Sequence, residues 1–104
     1  MAGNLAAAIV AGAKQTGTYC FIKHLALNNQ DSYRDSLYEW LTEQTLREIY
    51  LRPFKLTIEK GGATGLMSAY NRIGATWAGG NKALLMGVLR EEWGYEGCVI
   101  TDWW

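Results

Sequence analysis

Three helical patterns alternate with three short apolar runs along this chain, and the alternation limits its fold more than any other feature. The first helix is expected over residues 3–15, where Ala is frequent and Leu5, Ile9 and Gly12 share a face. Gly17 ends it. An apolar run follows at 19–25, then a polar loop at 28–36 with the Asn-Asn-Gln-Asp chemistry of turns. The second helix starts near Thr42 or Glu43, with Thr42 as N-cap and Thr45 as an imperfect partner in a capping box. Leu46, Ile49, Tyr50, Phe54 and Ile58 fall at helical spacing. Pro53 is expected to kink this helix, and Gly61-Gly62 to stop it. A second strand is expected at 64–70, a Gly- and Ala-rich loop at 71–80, a third helix at 81–93 and a third strand at 98–103. Such an order favours parallel strands joined by crossover helices. The fold class is therefore α/β. About three βα units are too few to close a barrel, which takes eight strands and roughly 250 residues. The expectation is a partial (β/α)8 barrel, with residues 1–104 as a piece of a larger domain.

In parallel α/β folds the working residues collect at the C-terminal ends of the strands. All three ends here turn from apolar to polar: Phe21-Ile22-Lys23-His24, Leu66-Met67-Ser68-Ala69-Tyr70-Asn71 and Val99-Ile100-Thr101-Asp102-Trp103. A lone histidine near a strand end is ordinarily a satisfied polar residue. Lys23 beside it shifts that balance, because a lysine inside an apolar strand is expensive to bury without a partner. Tyr70 and Met67 fit ordinary core packing. Asp102 caps no helix in this chain, and from the residues alone it stays open between a catalytic or ligand-binding role and a structural one.

Other chemistries find little support. One His and two distant Cys make a poor zinc site. No Ser sits in a nucleophile elbow, and Gly61-Gly62-Ala63-Thr64-Gly65 precedes a strand rather than a helix, unlike a phosphate loop. The formal net charge is +0, so no attraction to nucleic acid or to an anionic membrane is expected. The apolar run at 5–13 is too short to span a bilayer and lacks the flanks of a signal peptide. No compartment can be read. Cys20 and Cys98 are expected as buried free thiols. Carboxylate chemistry with sugar-binding polar and aromatic groups is what remains.

At these residues a family resemblance enters. Lys23-His24-Leu25-Ala26-Leu27-Asn28-Asn29-Gln30-Asp31 is similar to the Lys-His-Phe-Ala-x-Asn-Asn-Gln-Glu stretch of family 3 glycoside hydrolases. Thr45-Leu46-Arg47-Glu48-Ile49-Tyr50-Leu51-Arg52-Pro53-Phe54 resembles the helix that follows it there. Met67-Ser68-Ala69-Tyr70-Asn71-Arg72 resembles the family's Met-x-x-Tyr-Asn segment. Leu89-Arg90-Glu91-Glu92-Trp93-Gly94-Tyr95-Glu96-Gly97, followed by Thr101-Asp102-Trp103, resembles Leu-Arg-x-Glu-Trp-Gly-Phe-x-Gly…Ser-Asp-Trp. The resemblance covers essentially the whole chain, in order.

It implies a retaining β-glucosidase-type enzyme acting on terminal, non-reducing β-D-glucosyl residues, without metal or organic cofactor. Asp102 would be the nucleophile. Lys23 and His24 would bind sugar hydroxyls, Met67 would line the pocket, Tyr70 would help orient the nucleophile, and Trp103 would offer an apolar face. The absence of a second His between Leu25 and Asp35 argues against the branch that releases N-acetylglucosamine. Leu25 departs from the usual Phe, Thr101 from the usual Ser, and Gly74-Ala75 from the usual Asn-Gly. The family's earlier sugar-binding Asp and Arg are missing, and none of the ten Asp and Glu residues matches its acid/base. The implied partners are thus a β-glucoside or oligosaccharide, the remainder of the barrel and a following domain that supplies the acid/base. The alternative is a non-catalytic carbohydrate-binding or scaffold fragment of the same fold.

Overall fold

The computed structural model describes residues 1–103. Trp104, the last of the Thr101-Asp102-Trp103-Trp104 run, lies outside the described residues. The expected alternation is present. Helix α1 spans Ala2–Gln15 and strand β1 Phe21–Leu25. A short strand β2 follows at Tyr38–Glu39. Helix α2 has three consecutive pieces: an α turn at Glu43–Thr45, wider π-type turns at Leu46–Leu51, and regular α-helix at Arg52–Gly61. Strands β3 (Gly65–Ser68), β4 (Arg72–Ile73) and β5 (Thr76–Trp77) precede helix α3 at Ala83–Glu92 and strand β6 at Cys98–Ile100.

Strands β1, β3 and β6 form one parallel sheet in the order β1-β3-β6, as a part of a barrel requires. Leu66 pairs with Ile22 on one side and Val99 on the other. The core lies between this sheet and α2 and α3. Leu25, Leu51, Leu66 and Leu89 are fully buried there, joined by Phe54, Ile58, Val88 and Val99. Burying each such leucine stabilises the fold by about 1.5–3 kcal/mol.

Local chemistry sets the boundaries. The Thr42 hydroxyl oxygen accepts the Thr45 N–H at 3.2 Å, so Thr42 is the N-cap of α2. Pro53 stands at the start of the regular α-helical piece, directly after the wider π-type turns, where its missing N–H costs least. Gly62 closes α2 in the left-handed conformation, its N–H bonded to Ile58 O. Helices α1 and α2 cross at glycine: a Cβ on Gly61 would lie 2.8 Å from the Ala7 carbonyl oxygen. At the other end of α2, the Arg47 guanidinium makes a bidentate pair with Glu92 of α3, at 2.7 and 2.9 Å.

Three expectations need correction. The segment at 71–80 is not simply loop: β4 and β5 form a tight antiparallel hairpin around Gly74, whose φ is +59°, and β4 pairs in parallel with β2. Strands of two residues carry no readable periodicity. Lys23 is exposed rather than buried among the described residues: burial alternates along β1, with Phe21 and Lys23 facing out and Ile22 and His24 partly covered. The two cysteines are free thiols but not buried: Cys98 is exposed on β6 and Cys20 is half-buried.

Candidate active site

The ends of β1, β3 and β6 meet at Asp102. Each is brought there by local bonds that the sequence supplies. At the end of β6, the turn from α3 is clamped by Arg90, whose Nη1 donates to the carbonyls of Tyr95 and Gly97, each at 2.7 Å. The Tyr95 hydroxyl donates to Cys98 O at 3.0 Å, and burial pushes its pKa up to about 12. Two residues beyond β6, the Asp102 side chain is only 12% exposed.

Its two oxygens have different surroundings. Oδ1 accepts the N–H of Trp103 at 2.9 Å. Oδ2 is buried and, among the described residues, takes no hydrogen bond of good geometry. It faces the imidazole of His24, whose Nε2 lies 3.2 Å away. Burial of the imidazole works against an ion pair here. Burial, the largest influence, lowers the His24 pKa below its usual value, and the charges of Lys23 and Arg34 add to this; Asp102 opposes it. A neutral imidazole has one N–H. The amide of Asn28 stands 3.2 Å from Nδ1, where its N–H can donate. With Nδ1 accepting, the ring proton belongs on Nε2, toward Asp102.

Tyr70, at the end of β3, is 8% exposed, and its hydroxyl donates to the carbonyl of Trp103. It therefore holds the backbone immediately after Asp102. Burial raises its pKa, and the negative charge of Asp102 adds to this while Arg34 opposes it. The Arg34 guanidinium lies 4.6 Å from the centre of the Tyr70 ring. Trp103 itself is 75% exposed. Met67 is buried and pairs with Ile100 across β3 and β6. Lys23 sits beside His24 but reaches outward, lining a cleft with α1 and α2. Asp102, His24 and Tyr70 are thus brought together, Trp103 stands at their edge, and Met67 and Lys23 lie outside this cluster.

Behind the cluster is a polar tie that sequence reasoning overlooked. Asn71 is fully buried; its amide donates to Ala26 O at 3.0 Å and to Glu39 Oε2 at 2.8 Å. Glu39 also accepts from Asn29 at 2.7 Å. Burial, the larger influence, raises the Glu39 pKa, against the opposing bond from Asn29. This tie fastens the loop after His24 to the start of the hairpin. The only signal in the sequence was Asn71 inside the Met-x-x-Tyr-Asn pattern.

An open depression of ≈ 500 Å³ surrounds the carboxylate, lined by Asp35, Tyr70, Arg72, Trp77, Thr101 and Asp102. Among the described residues no group of three or more His, Cys, Asp or Glu could hold a metal ion, and no helix is long and apolar enough to cross a membrane.

A strand-end carboxylate with one oxygen anchored and the other facing an imidazole has the makings of a site for covalent or acid–base chemistry. The comparison with known proteins identifies the family. The model of the glycosyl hydrolase family 3 N terminal domain matches residues 1–104. The chain belongs to glycosyl hydrolase family 3. Among family 3 relatives, β-glucosidase B of Emericella nidulans is 44% identical over 103 residues, 99% of this chain and 12% of that protein. β-Glucosidase BoGH3A of Bacteroides ovatus is 40% identical, over 99% of this chain and 14% of its own length. The chain thus spans about an eighth of the length of the relatives it matches. In solved structures, β-glucosidase 3B from Thermotoga neapolitana in complex with glucose superposes with a TM-score of 0.94 at 42% identity, covering 97% of this chain and 14% of that one. The β-glucosidase from Kluyveromyces marxianus in complex with glucose gives 0.96 at 32% identity, covering 98% and 12%.

The His24 contacts give a first expected result. Asn28→Asp places a carboxylate against Nδ1, which then favours an N–H there and a cationic ring. The imidazole should titrate below the usual histidine value in the parent and higher in the variant. A histidine-selective NMR titration reads this directly; His24 is the only histidine in the 104-residue sequence. The sign for stability follows. With the folded pKa lowered, the unfolded chain binds the extra proton first, so the parent loses stability as pH falls below the usual histidine value. The variant should lose less.

Proposed function

We propose that residues 1–104 are part of the catalytic barrel domain of a retaining β-glucosidase, with Asp102 as its nucleophile and terminal, non-reducing β-D-glucosyl residues as its substrates. The observation that supports this most is the asymmetry of the carboxylate. Its Oδ1 is held by the Trp103 N–H, while buried Oδ2 has no well-formed hydrogen bond among the described residues and stands 3.2 Å from His24. The one donor facing it, the His24 Nε2–H, is the group that would turn to a sugar hydroxyl as the sugar enters. The glucose complexes of the Thermotoga neapolitana and Kluyveromyces marxianus enzymes add support for the sugar.

In this reading Asp102 Oδ2 attacks the anomeric carbon. The bond from that carbon to the leaving oxygen breaks, and the leaving oxygen takes a proton from a carboxylic acid. Water then attacks the glycosyl ester, giving up a proton to the same carboxylate and restoring Asp102. That acid/base comes from the rest of the protein, as does the remainder of the barrel. In retaining enzymes the two carboxyl groups stand about 5–5.5 Å apart. His24 would donate its Nε2–H to a sugar hydroxyl as the sugar enters, and Lys23 would give a second, charged donor once its stem swings inward. Tyr70 would hold the nucleophile's backbone through the Trp103 carbonyl, Met67 would back the pocket, and Trp103 would present its exposed face to the sugar. No step calls for a metal or an organic cofactor.

The stereochemistry of the product tests this. Proton NMR of the full-length protein acting on a β-glucoside should show β-glucose first, with the α-anomer appearing only by mutarotation. The α-anomer appearing first would contradict the double displacement and leave Asp102 without a nucleophile's role.

A further inference from the structure

The depression around Asp102 has a second wall, formed by Trp77, and its lining includes neither His24 nor Lys23. The Trp77 wall is therefore built without either donor assigned to the sugar. Trp77 stands on β5, directly across the hairpin from Arg72. Its indole lies against the Gly79-Gly80 backbone. A Cβ on Gly79 would come within 2.4 Å of indole Cζ2 and 2.7 Å of Cη2, and one on Gly80 within 3.3 Å of Cε3. Any side chain at 79 would lift the ring from this shelf. Trp77 is nonetheless 38% exposed.

The surrounding residues hold the wall in place. Arg72 Nη1 donates to Asp35 O at 2.6 Å, and its guanidinium lies 5.1 Å from the centre of the Tyr38 ring. The Arg72 charge is thus occupied with fixing the loop at Asp35 to the hairpin. The Asp35 carboxylate borders the depression in an exposed position, where it can accept hydroxyl protons. An aromatic face backed by main chain, with a hydroxyl acceptor at its rim, suits a ring with an apolar face and polar edges.

We propose that Trp77, held flat by Gly79 and Gly80, is the stacking platform for a cyclic leaving group, a second pyranose or an aromatic ring, and so sets a preference for such glycosides over those with small acyclic leaving groups. The inference rests on the reading of Asp102 as the nucleophile. Because one face of the indole already rests on main chain at Gly79 and Gly80, less side-chain freedom is lost when a ring stacks on the other.

The test uses the full-length protein, with cellobiose and methyl β-glucoside as probes. Their leaving groups are both alcohols, and only one carries a ring. Trp77→Ala should lower kcat/KM for cellobiose about tenfold further than for methyl β-glucoside. Gly79→Ala, which keeps the tryptophan but tilts it, should shift the ratio the same way. Trp77→Phe should recover much of it. Equal losses on both probes, or an unchanged ratio in both Trp77→Ala and Gly79→Ala, would overturn the proposal. Failure of the underlying reading looks different: parent activity on both probes would then survive Asp102→Asn.

Discussion

Replacing Asp102 with Asn in the full-length protein is expected to lower kcat/KM on β-glucosides by on the order of 10⁴-fold or more. The substitution is nearly isosteric. The amide oxygen can still accept the Trp103 N–H that Oδ1 accepts at 2.9 Å, so the side chain keeps its position. What changes is the other atom. Oδ2 becomes an amide nitrogen, which cannot attack an anomeric carbon and now faces the His24 Nε2–H from 3.2 Å. The loss should therefore fall on the chemical step, with the unfolding midpoint little altered. Steady-state rates on an aryl β-glucoside, taken with a thermal melt, check both halves. A variant that keeps a tenth of the parent rate would show that Asp102 is not the nucleophile.

The second large effect is expected on stability. Asn71→Ala removes a fully buried amide that donates to Ala26 O and to Glu39 Oε2. The Ala26 carbonyl is closed off in the core and has no ready substitute, whereas the half-buried Glu39 carboxylate keeps its bond to Asn29 and can reach water. Leaving the buried carbonyl without a donor should cost about 1–3 kcal/mol. Urea unfolding measures it. Activity should fall as well, since Ala26 lies just beyond His24 and the loop loses its tie to the hairpin. Asn71→Asp should be worse, because it sets a second carboxylate against Glu39. A loss below about 0.5 kcal/mol in Asn71→Ala would show that the tie does not hold the site together.

The sequence made part of this arrangement legible, and the reasons are specific. The three strand ends could be read because a short apolar run, Tyr19-Cys20-Phe21-Ile22, Leu66-Met67 or Cys98-Val99-Ile100, gives way to Lys23-His24, Ser68-Ala69-Tyr70-Asn71 or Thr101-Asp102, which marks both a strand and the point where it leaves the core. The Thr42 cap and the Gly62 stop are local chemistry and were equally readable. Strands β2, β4 and β5 were not, since two residues carry no period. Nor was the tie between Asn71 and Glu39, which spans 32 residues and exists only once β2 and β4 pair. Exposure was misjudged at Lys23 and Cys98 because apolar composition marks a strand without saying which of its side chains are covered, and that depends on what packs against each face. Trp77 was hidden in the same way, inside a Gly- and Ala-rich stretch that reads as loop until its glycines are seen supporting the indole.

The central claim is that Asp102 Oδ2 forms a covalent bond to the sugar. The most direct measurement is to incubate the full-length protein with a 2-deoxy-2-fluoro β-glucoside carrying a good leaving group, digest it, and locate the label by mass spectrometry. The account predicts one fluoroglucosyl group per chain, on Asp102, and none on the Asp102→Asn variant. A label on any other carboxylate, or full inactivation with Asp102 unmodified, would contradict it.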